Sequence, residues 1–275
     1  MTALSISKAW EETKARIAAD GRLMAIVAAA LIILPGLVVE VISPSSIRTS
    51  SSFVESILIL ISSLLALIGQ LSIIRLAVTP AVSVGEAIGH GARRMPIYLV
   101  AAILLTVVFI VALIPFAVVA YVAGVPFDRS SEQAFLQSPV ALLLSLLYLA
   151  LLIFIAIRML MSSPVASEEE SGPIQILRRS WDLTRGHWWQ LFGFMVLFII
   201  GALVLIAAVN WGITAVAVIL LGAIEPMSLS ALVVGLFDSV VNGAVTVILA
   251  VMLARIYLQL TGRDTAGASV PRSGI

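Results

Sequence analysis

LRRSWDLTRGHWWQLFGFMVLFIIGALVLIAAVN, residues 177–210, runs from an arginine-rich segment straight into an unbroken apolar stretch. The stretch from Trp189 to Val209 has the length a helix needs to cross a hydrocarbon core of about 30 Å at about 1.5 Å per residue. Basic residues stand at one end of it only. Five further runs have this length: Leu23 to Val41, Phe53 to Val78, Ile97 to Val122, Pro139 to Met161 and Leu229 to Leu260.

Charge orients the six runs. Of the 16 Lys and Arg residues, fourteen fall in or beside alternate gaps: Lys8, Lys14, Arg16 and Arg22, then Arg75, Arg93 and Arg94, then Arg158, Arg178, Arg179 and Arg185, then Arg255, Arg263 and Arg272. The intervening gaps hold Arg48 and Arg129. Positive charge stays on the cytoplasmic side during insertion, so both termini are expected there. Composition agrees. Hydrophobic residues make up 61% and charged residues 11% of the 275, where a soluble domain is nearer half apolar and a quarter charged. The longest polar stretch, Ser162 to His187, is too short to fold alone, so no soluble domain is expected. A net charge of +1 gives no reason to expect nucleic acid, and the absence of Cys excludes disulfides and thiolate metal sites. The polar leader before Leu23 and the lack of an A-x-A-like site predict that the first run is a retained span, not a signal peptide.

The chain repeats itself. Setting Trp10 on Trp181 pairs Ile6 with Leu177, Lys8 with Arg179, Glu11 with Asp182, Thr13 with Thr184 and Lys14 with Arg185. A looser copy, VGEAIGHGARRMPIYL, puts Ala92 at the Trp position. Each following pair of spans returns to an apolar-flanked arginine: Arg75, Arg158 and Arg255. The predicted fold class is an all-α membrane protein of six transmembrane helices, with cytoplasmic interfacial amphipathic helices and three parallel two-helix repeats. One membrane domain covers 1–262, in units of about 1–80, 81–164 and 171–262, and 263–275 is a disordered tail.

Local signals refine this. Ile174, Leu177, Trp181, Thr184 and Trp188 recur at helical spacing, and Arg178 is placed to pair with Asp182. Ser171 is a candidate N-cap before Pro173, and Ser83 with Glu86 has capping-box spacing. Pro35-Gly36 and Pro115 are expected to kink their spans. The apolar excess from Ile213 to Ile224 is expected to form a short re-entrant or outer-leaflet helix. Glu168-Glu169-Glu170 reads as a solvated loop.

Candidate chemistry is sparse. His90 and His187 stand near no carboxylate or Ser at a catalytic spacing, and no mechanistic motif is present, so no catalytic residue, metal or cofactor is expected. Trp10, Arg178, Arg179, Trp181, Arg185, Trp188 and Trp189 are candidate lipid-interface residues, because Trp and Arg beside a span suit the headgroup layer. Arg75, Arg158 and Arg255 are expected to snorkel to that layer or to hold lipid phosphates. Inside the spans, Gln70, Asp238 and Asn242 are the candidate polar residues, with Asn210 near the outer end of the fifth. Gly235, Ser239 and Gly243 make a small-residue row that permits close helix approach.

ILRRSWDLTRGHWWQLFGF, the closing LARIYLQLTG and the threefold unit resemble a family of bacterial integral membrane proteins. That family is named after the membrane domain accompanying some glycerophosphoryl diester phosphodiesterases. The resemblance implies a six-helix protein of the bacterial inner membrane. It does not imply the phosphodiesterase activity, which belongs to a soluble barrel domain that no segment here supplies. The expected role is non-enzymatic: organising or sensing anionic membrane lipids or partner proteins at the cytoplasmic face. The competing expectation is a transporter or lipid translocator using Gln70, Asp238 and Asn242.

Overall fold

The computed structural model describes residues 4–44, 52–125 and 138–262. Its helices are α1 (Ile6–Ala28), a π turn (Ala29–Ile33), α2 (Leu34–Ile42), α3 (Phe53–Val78), α4 (Val84–Val122), α5 (Pro139–Arg158), α6 (Ser162–Glu168), α7 (Pro173–Leu183), α8 (Trp188–Leu221) and α9 (Leu229–Thr261). Six are long and apolar enough to cross a membrane, with α1, the π turn and α2 counted as one rod. The loop from 130 to 137, the tail 263–275, and Arg48, Arg129, Arg263 and Arg272 lie outside the described residues.

Serine starts most of these helices. Ser5, Ser52, Ser83, Ser138 and Ser228 each accept a hydrogen bond from a backbone N–H in the first turn. Ser52 and Glu55 complete a capping box; at Ser83 only the half donated by the Glu86 N–H forms. Before α7 the N-cap is Gly172, one residue beyond the expected Ser171, and the Gln175 side chain accepts from its N–H at 3.2 Å. Gly222 and Gly262, both at positive φ, stop α8 and α9, a conformation glycine adopts without a Cβ clash.

Two expectations about element boundaries are corrected. The first two amphipathic segments are not separate helices: Ile6–Ile42 is one rod, and α4 runs from Val84 through Pro96 to Val122. The third alone is separate, because the chain turns at Gly186 (φ 89°) between α7 and α8. The excess after Trp211 is not re-entrant. It continues α8 to Leu221, giving 34 residues and about 51 Å of helix. Apolar residues with no breaker before Gly222 give the backbone no reason to leave the helical ladder. At Pro35 the helix widens into the π turn just upstream, since proline offers no N–H to the preceding turn.

The helices pass contacts around a ring, α1 to α3, α3 to α4, α4 to α5, α5 to α8, α8 to α9 and α9 back to α1, and α9 also crosses to α3. The starts of α1, α4 and α8 and the ends of α3, α5 and α9 share one face, called here the basic face. Ser5 N–H donates to Gln259 Oε1 at 3.1 Å, joining the start of α1 to the end of α9. Packing is concentrated at this end. Ile256, Tyr257 and Met252 of α9 are buried among Val165, Ile176 and Leu191, while Met24, Ile73, Ile74, Leu76 and Ala254 form an adjoining core. In the far half α4, α5 and α8 leave apolar side chains open, such as Ile110, Val118, Leu143 and Leu203.

The small-residue row on α9 does bring helices together. Added Cβ atoms at Gly235 and Gly243 would meet Glu40 and Ile33, and one at Gly36 would meet Ser239, so this row packs on the π turn and α2. At Gly91 a Cβ would stand 2.5 Å from Ser72 Oγ and 2.7 Å from the Ile68 carbonyl, so only glycine lets α4 cross α3 there.

The acidic run is also corrected. Glu168 ends α6, and Glu168, Glu169 and Glu170 each pair with an arginine from a different helix. Arg75 of α3 meets Glu168 at 2.8 Å, Arg179 of α7 meets Glu169 at 3.2 Å, and Arg94 of α4 meets Glu170 at 3.6 Å. Tyr257 of α9 donates to Glu169 at 2.9 Å. Ser167 closes the clasp, donating to the Leu71 carbonyl at 3.2 Å and accepting from His90 Nε2 at 2.6 Å through its own carbonyl. Four helices are thus tied to one short run.

Candidate lipid-facing site

The face α7 buries overlaps the stripe the spacing suggests only at Leu177 and Thr184. Ile176, Ser180 and Thr184 point inward, while Ile174 and Trp181 are exposed. The reason is polar. The last turn of α5 leaves the Arg158 carbonyl without a helical partner, and two α7 hydroxyls supply one, Ser180 Oγ at 2.9 Å and Thr184 Oγ1 at 3.2 Å. Satisfying that carbonyl turns Ile174 and Trp181 outward, while Ile176 stays in the core.

The same contact carries Trp181 to the Arg158 side chain. The guanidinium lies 5.0 Å from the Trp181 ring centre and 5.4 Å from that of Phe154. Its Nε and Nη1 atoms are buried and meet no hydrogen-bond acceptor. Cation–π contact of this kind is worth about 1–2 kcal/mol, which offsets part of the desolvation but supplies those N–H groups with no acceptor. Trp188 packs beside Phe154 at 5.9 Å and stacks on Phe192 at 5.0 Å, and Trp189 meets Trp188 edge-on at 4.7 Å.

Below this cluster runs an apolar groove of about 590 Å³ between α4, α5 and α7. Leu105 and Val108 form one wall, Leu151, Phe154 and Ile155 the other, and Leu177 and Trp181 close the basic end. Arg178 and Asp182 stand at the mouth. The expected Arg178–Asp182 ion pair does not form; both side chains are exposed, where an ion pair gains little. Among the described residues Arg178 and Arg185 make no ion pair, whereas Arg179 is held by Glu169.

The three recurring arginines do not share one role. Arg75 is engaged by Glu168, and Arg255 Nη2 donates to the Ala77 carbonyl at 2.9 Å, so these two tie helices together instead of reaching freely for headgroups. Arg16, not singled out from sequence, pairs with Asp20 at 2.6 Å and donates to the Leu76 and Thr79 carbonyls at 2.6 and 3.3 Å. A cation at a helix C-terminus is favoured by the exposed carbonyls and their dipole, so Arg16 and Arg255 together cap α3. Trp10 and Trp189 are exposed at the basic face.

The intramembrane polar residues separate into two places. Asn242 Nδ2 donates to the Asp238 carboxylate at 3.1 Å and to its backbone carbonyl at 3.0 Å. Asn210 of α8 and Glu40 of α2 interact with the same carboxylate, a convergence that period and spacing do not reveal. Asp238 follows the far-face start of α9 by about two and a half turns. Gln70 lies about two turns from the basic end of α3, half-buried, and does not join this group.

No curated protein and no solved structure matches this chain. Residues 14–260 match the family described as a domain of unknown function, DUF7847, a range that reaches into all six long helices, and the chain belongs to that family.

Proposed function

We propose that this protein is a non-enzymatic membrane protein that binds anionic phospholipid at its basic face and so organises or senses lipid there. The observation that carries the reading is the Arg158 guanidinium, buried against Phe154 and Trp181 with two nitrogens unpartnered, above an apolar groove. A phosphate supplies the missing acceptors and an acyl chain fills the groove. The charge partition supports a cytoplasmic position for this face, in a bacterial inner membrane. The resemblance to the membrane domain that accompanies some phosphodiesterases belongs to the same reading, without the enzyme activity.

The test replaces Arg178, Arg179 and Arg185 together by Gln and measures phosphatidylglycerol retention by native mass spectrometry. Each juxtamembrane arginine contributes about 1 kcal/mol, and Glu169 already neutralises part of Arg179, so retention is expected to weaken between about thirty- and a hundred-and-fiftyfold. Unchanged retention contradicts the reading.

The group around Asp238 favours a second reading, a transporter or lipid translocator, because Glu40, Asn210 and Asn242 gather polar atoms in the far half. Asp238→Asn separates the two. Lipid retention is unchanged under the first reading, and a measurable transport activity is lost under the second.

A further inference from the structure

A second apolar groove, of about 650 Å³, opens between the start of α1 and the helices α8 and α9. On α1 it is lined by Ile6, Ser7, Trp10 and Glu11. Those positions, moved along by the offset that sets Trp10 on Trp181, are Leu177, Arg178, Trp181 and Asp182, the four α7 residues that line the groove below Arg158. The walls correspond as well. Phe194 and Leu197 of α8 stand where Leu105 and Val108 of α4 stand, at one common offset. Setting Arg255 on Arg158 likewise puts Ile248 and Met252 of α9 on Leu151 and Ile155 of α5.

Each groove is therefore built one way: an amphipathic segment closes the basic end of a pocket between the outward and return helices of the unit before it. The segments are seated alike. Thr13 and Thr184 are both fully buried, and each donates to the carbonyl four residues earlier, at 2.8 and 2.9 Å. Their neighbours one turn back, Ala9 and Ser180, are small and fully buried. The remaining unit has Ala92 in place of the tryptophan and brings no ring to the corresponding place.

We propose that the groove at Trp10 is a second phospholipid site, holding one acyl chain without requiring a negative headgroup; this rests on the lipid reading of the groove below Arg158. Length selects the occupant. The α8 wall from Phe194 to Leu205 spans about 16 Å, close to half of a hydrocarbon core of about 30 Å, so the groove is as deep as one leaflet. A partner helix or a second copy of the chain would need both leaflets. Charge sets the difference between the sites. Ser7 stands where the other groove has Arg178, and Glu11 at the mouth is paired with Lys14 at 2.8 Å. The counterpart of Arg158 is Arg255, whose Nη2 is turned to the Ala77 carbonyl of α3. This mouth is electrically balanced and accepts a zwitterionic lipid.

Gly201 allows the groove to be filled without disturbing the bundle, because a Cβ there meets nothing within 4 Å. Gly201→Phe, with Leu205→Trp as a second filling variant, is compared with Val108→Trp in the other groove. Native mass spectrometry of the full chain then counts retained phosphatidylethanolamine and phosphatidylglycerol. The native protein is expected to keep two phosphatidylglycerols but one phosphatidylethanolamine. Either variant at the Trp10 groove removes one phosphatidylglycerol and the sole phosphatidylethanolamine, while Val108→Trp removes one phosphatidylglycerol only. If both Trp10-groove variants keep the native count while Val108→Trp loses one lipid, the second site is refuted and the first stands. If no variant alters the count, both readings fail.

Discussion

Arg75→Ala is expected to lower stability by about 3 kcal/mol or more, because it strands a carboxylate that the fold has removed from water. The Glu168 side chain is 4% exposed and meets Arg75 at 2.8 Å, and its other carboxylate oxygen shares the single Ser167 hydroxyl proton with the Leu71 carbonyl, each at 3.2 Å. Without the guanidinium the charge keeps no cationic partner, and the α6 clasp loses its ionic tie to α3, leaving only the Ser167–Leu71 bond there. Removing both charges costs less than removing one, since the desolvation penalty goes with them. Arg75→Met with Glu168→Gln should therefore recover most of the loss. Thermal unfolding in detergent, followed by helical circular dichroism, reads both variants. Equal destabilisation by the single and double replacements would show that the pair is not what holds α6 to α3. The neighbouring Arg94–Glu170 pair should contribute little, because Glu170 is almost fully exposed.

Tyr257→Ala is the second large effect expected. Tyr257 has no exposed surface and sits between the start of α1 and the α6–α7 connection, in the core that joins units distant in sequence. Truncating a fully buried aromatic ring leaves a cavity and costs about 3–5 kcal/mol. Tyr257→Phe keeps the ring and removes the hydroxyl with its hydrogen bond to Glu169, at a cost of about 1 kcal/mol. A Phe variant as damaged as the Ala variant would place the stabilisation in the hydroxyl and the acidic clasp instead of in packing.

The six membrane-length helices were legible because hydrocarbon thickness imposes a length and a composition that few soluble segments share. Boundaries at the basic face were less so. Asp20-Gly21 and Arg185-Gly186 look alike as short polar breaks, yet Gly21 lies within α1 and only Gly186 takes a positive φ. What distinguishes them is tertiary: Ser180 and Thr184 hold α7 against the Arg158 carbonyl, which forces a turn before α8. The same contact explains why Ile174 and Trp181 turned outward while Thr184 of the same stripe is buried. Hydrophobic period marks a face but not which surroundings receive it, and around this chain lipid competes with the core for apolar side chains.

The acidic run was misread for a related reason. Three adjacent glutamates read as solvated because their partners, Arg75, Arg179 and Arg94, are scattered over the chain and no short-range spacing links them. Among the candidate site residues, setting Trp10 on Trp181 brought into register the positions that line both grooves, and Asn242 does bond Asp238 as residues four apart on a helix can. Glu40 and Asn210 joined Asp238 only in three dimensions, and Gln70 stayed apart. Arg158, Arg75 and Arg255 look interchangeable in sequence. Their neighbours gave them a ring pair, a carboxylate and a helix end respectively.

The most direct measurement is a density map of the protein in nanodiscs containing phosphatidylglycerol. Elongated density of one-leaflet depth is expected in the grooves at Trp10 and Trp181, with headgroup density beside Arg158 and Arg178 in the second. Grooves closed by repacked helices, filled by another protein chain, or without lipid beside Arg158 would contradict the lipid reading.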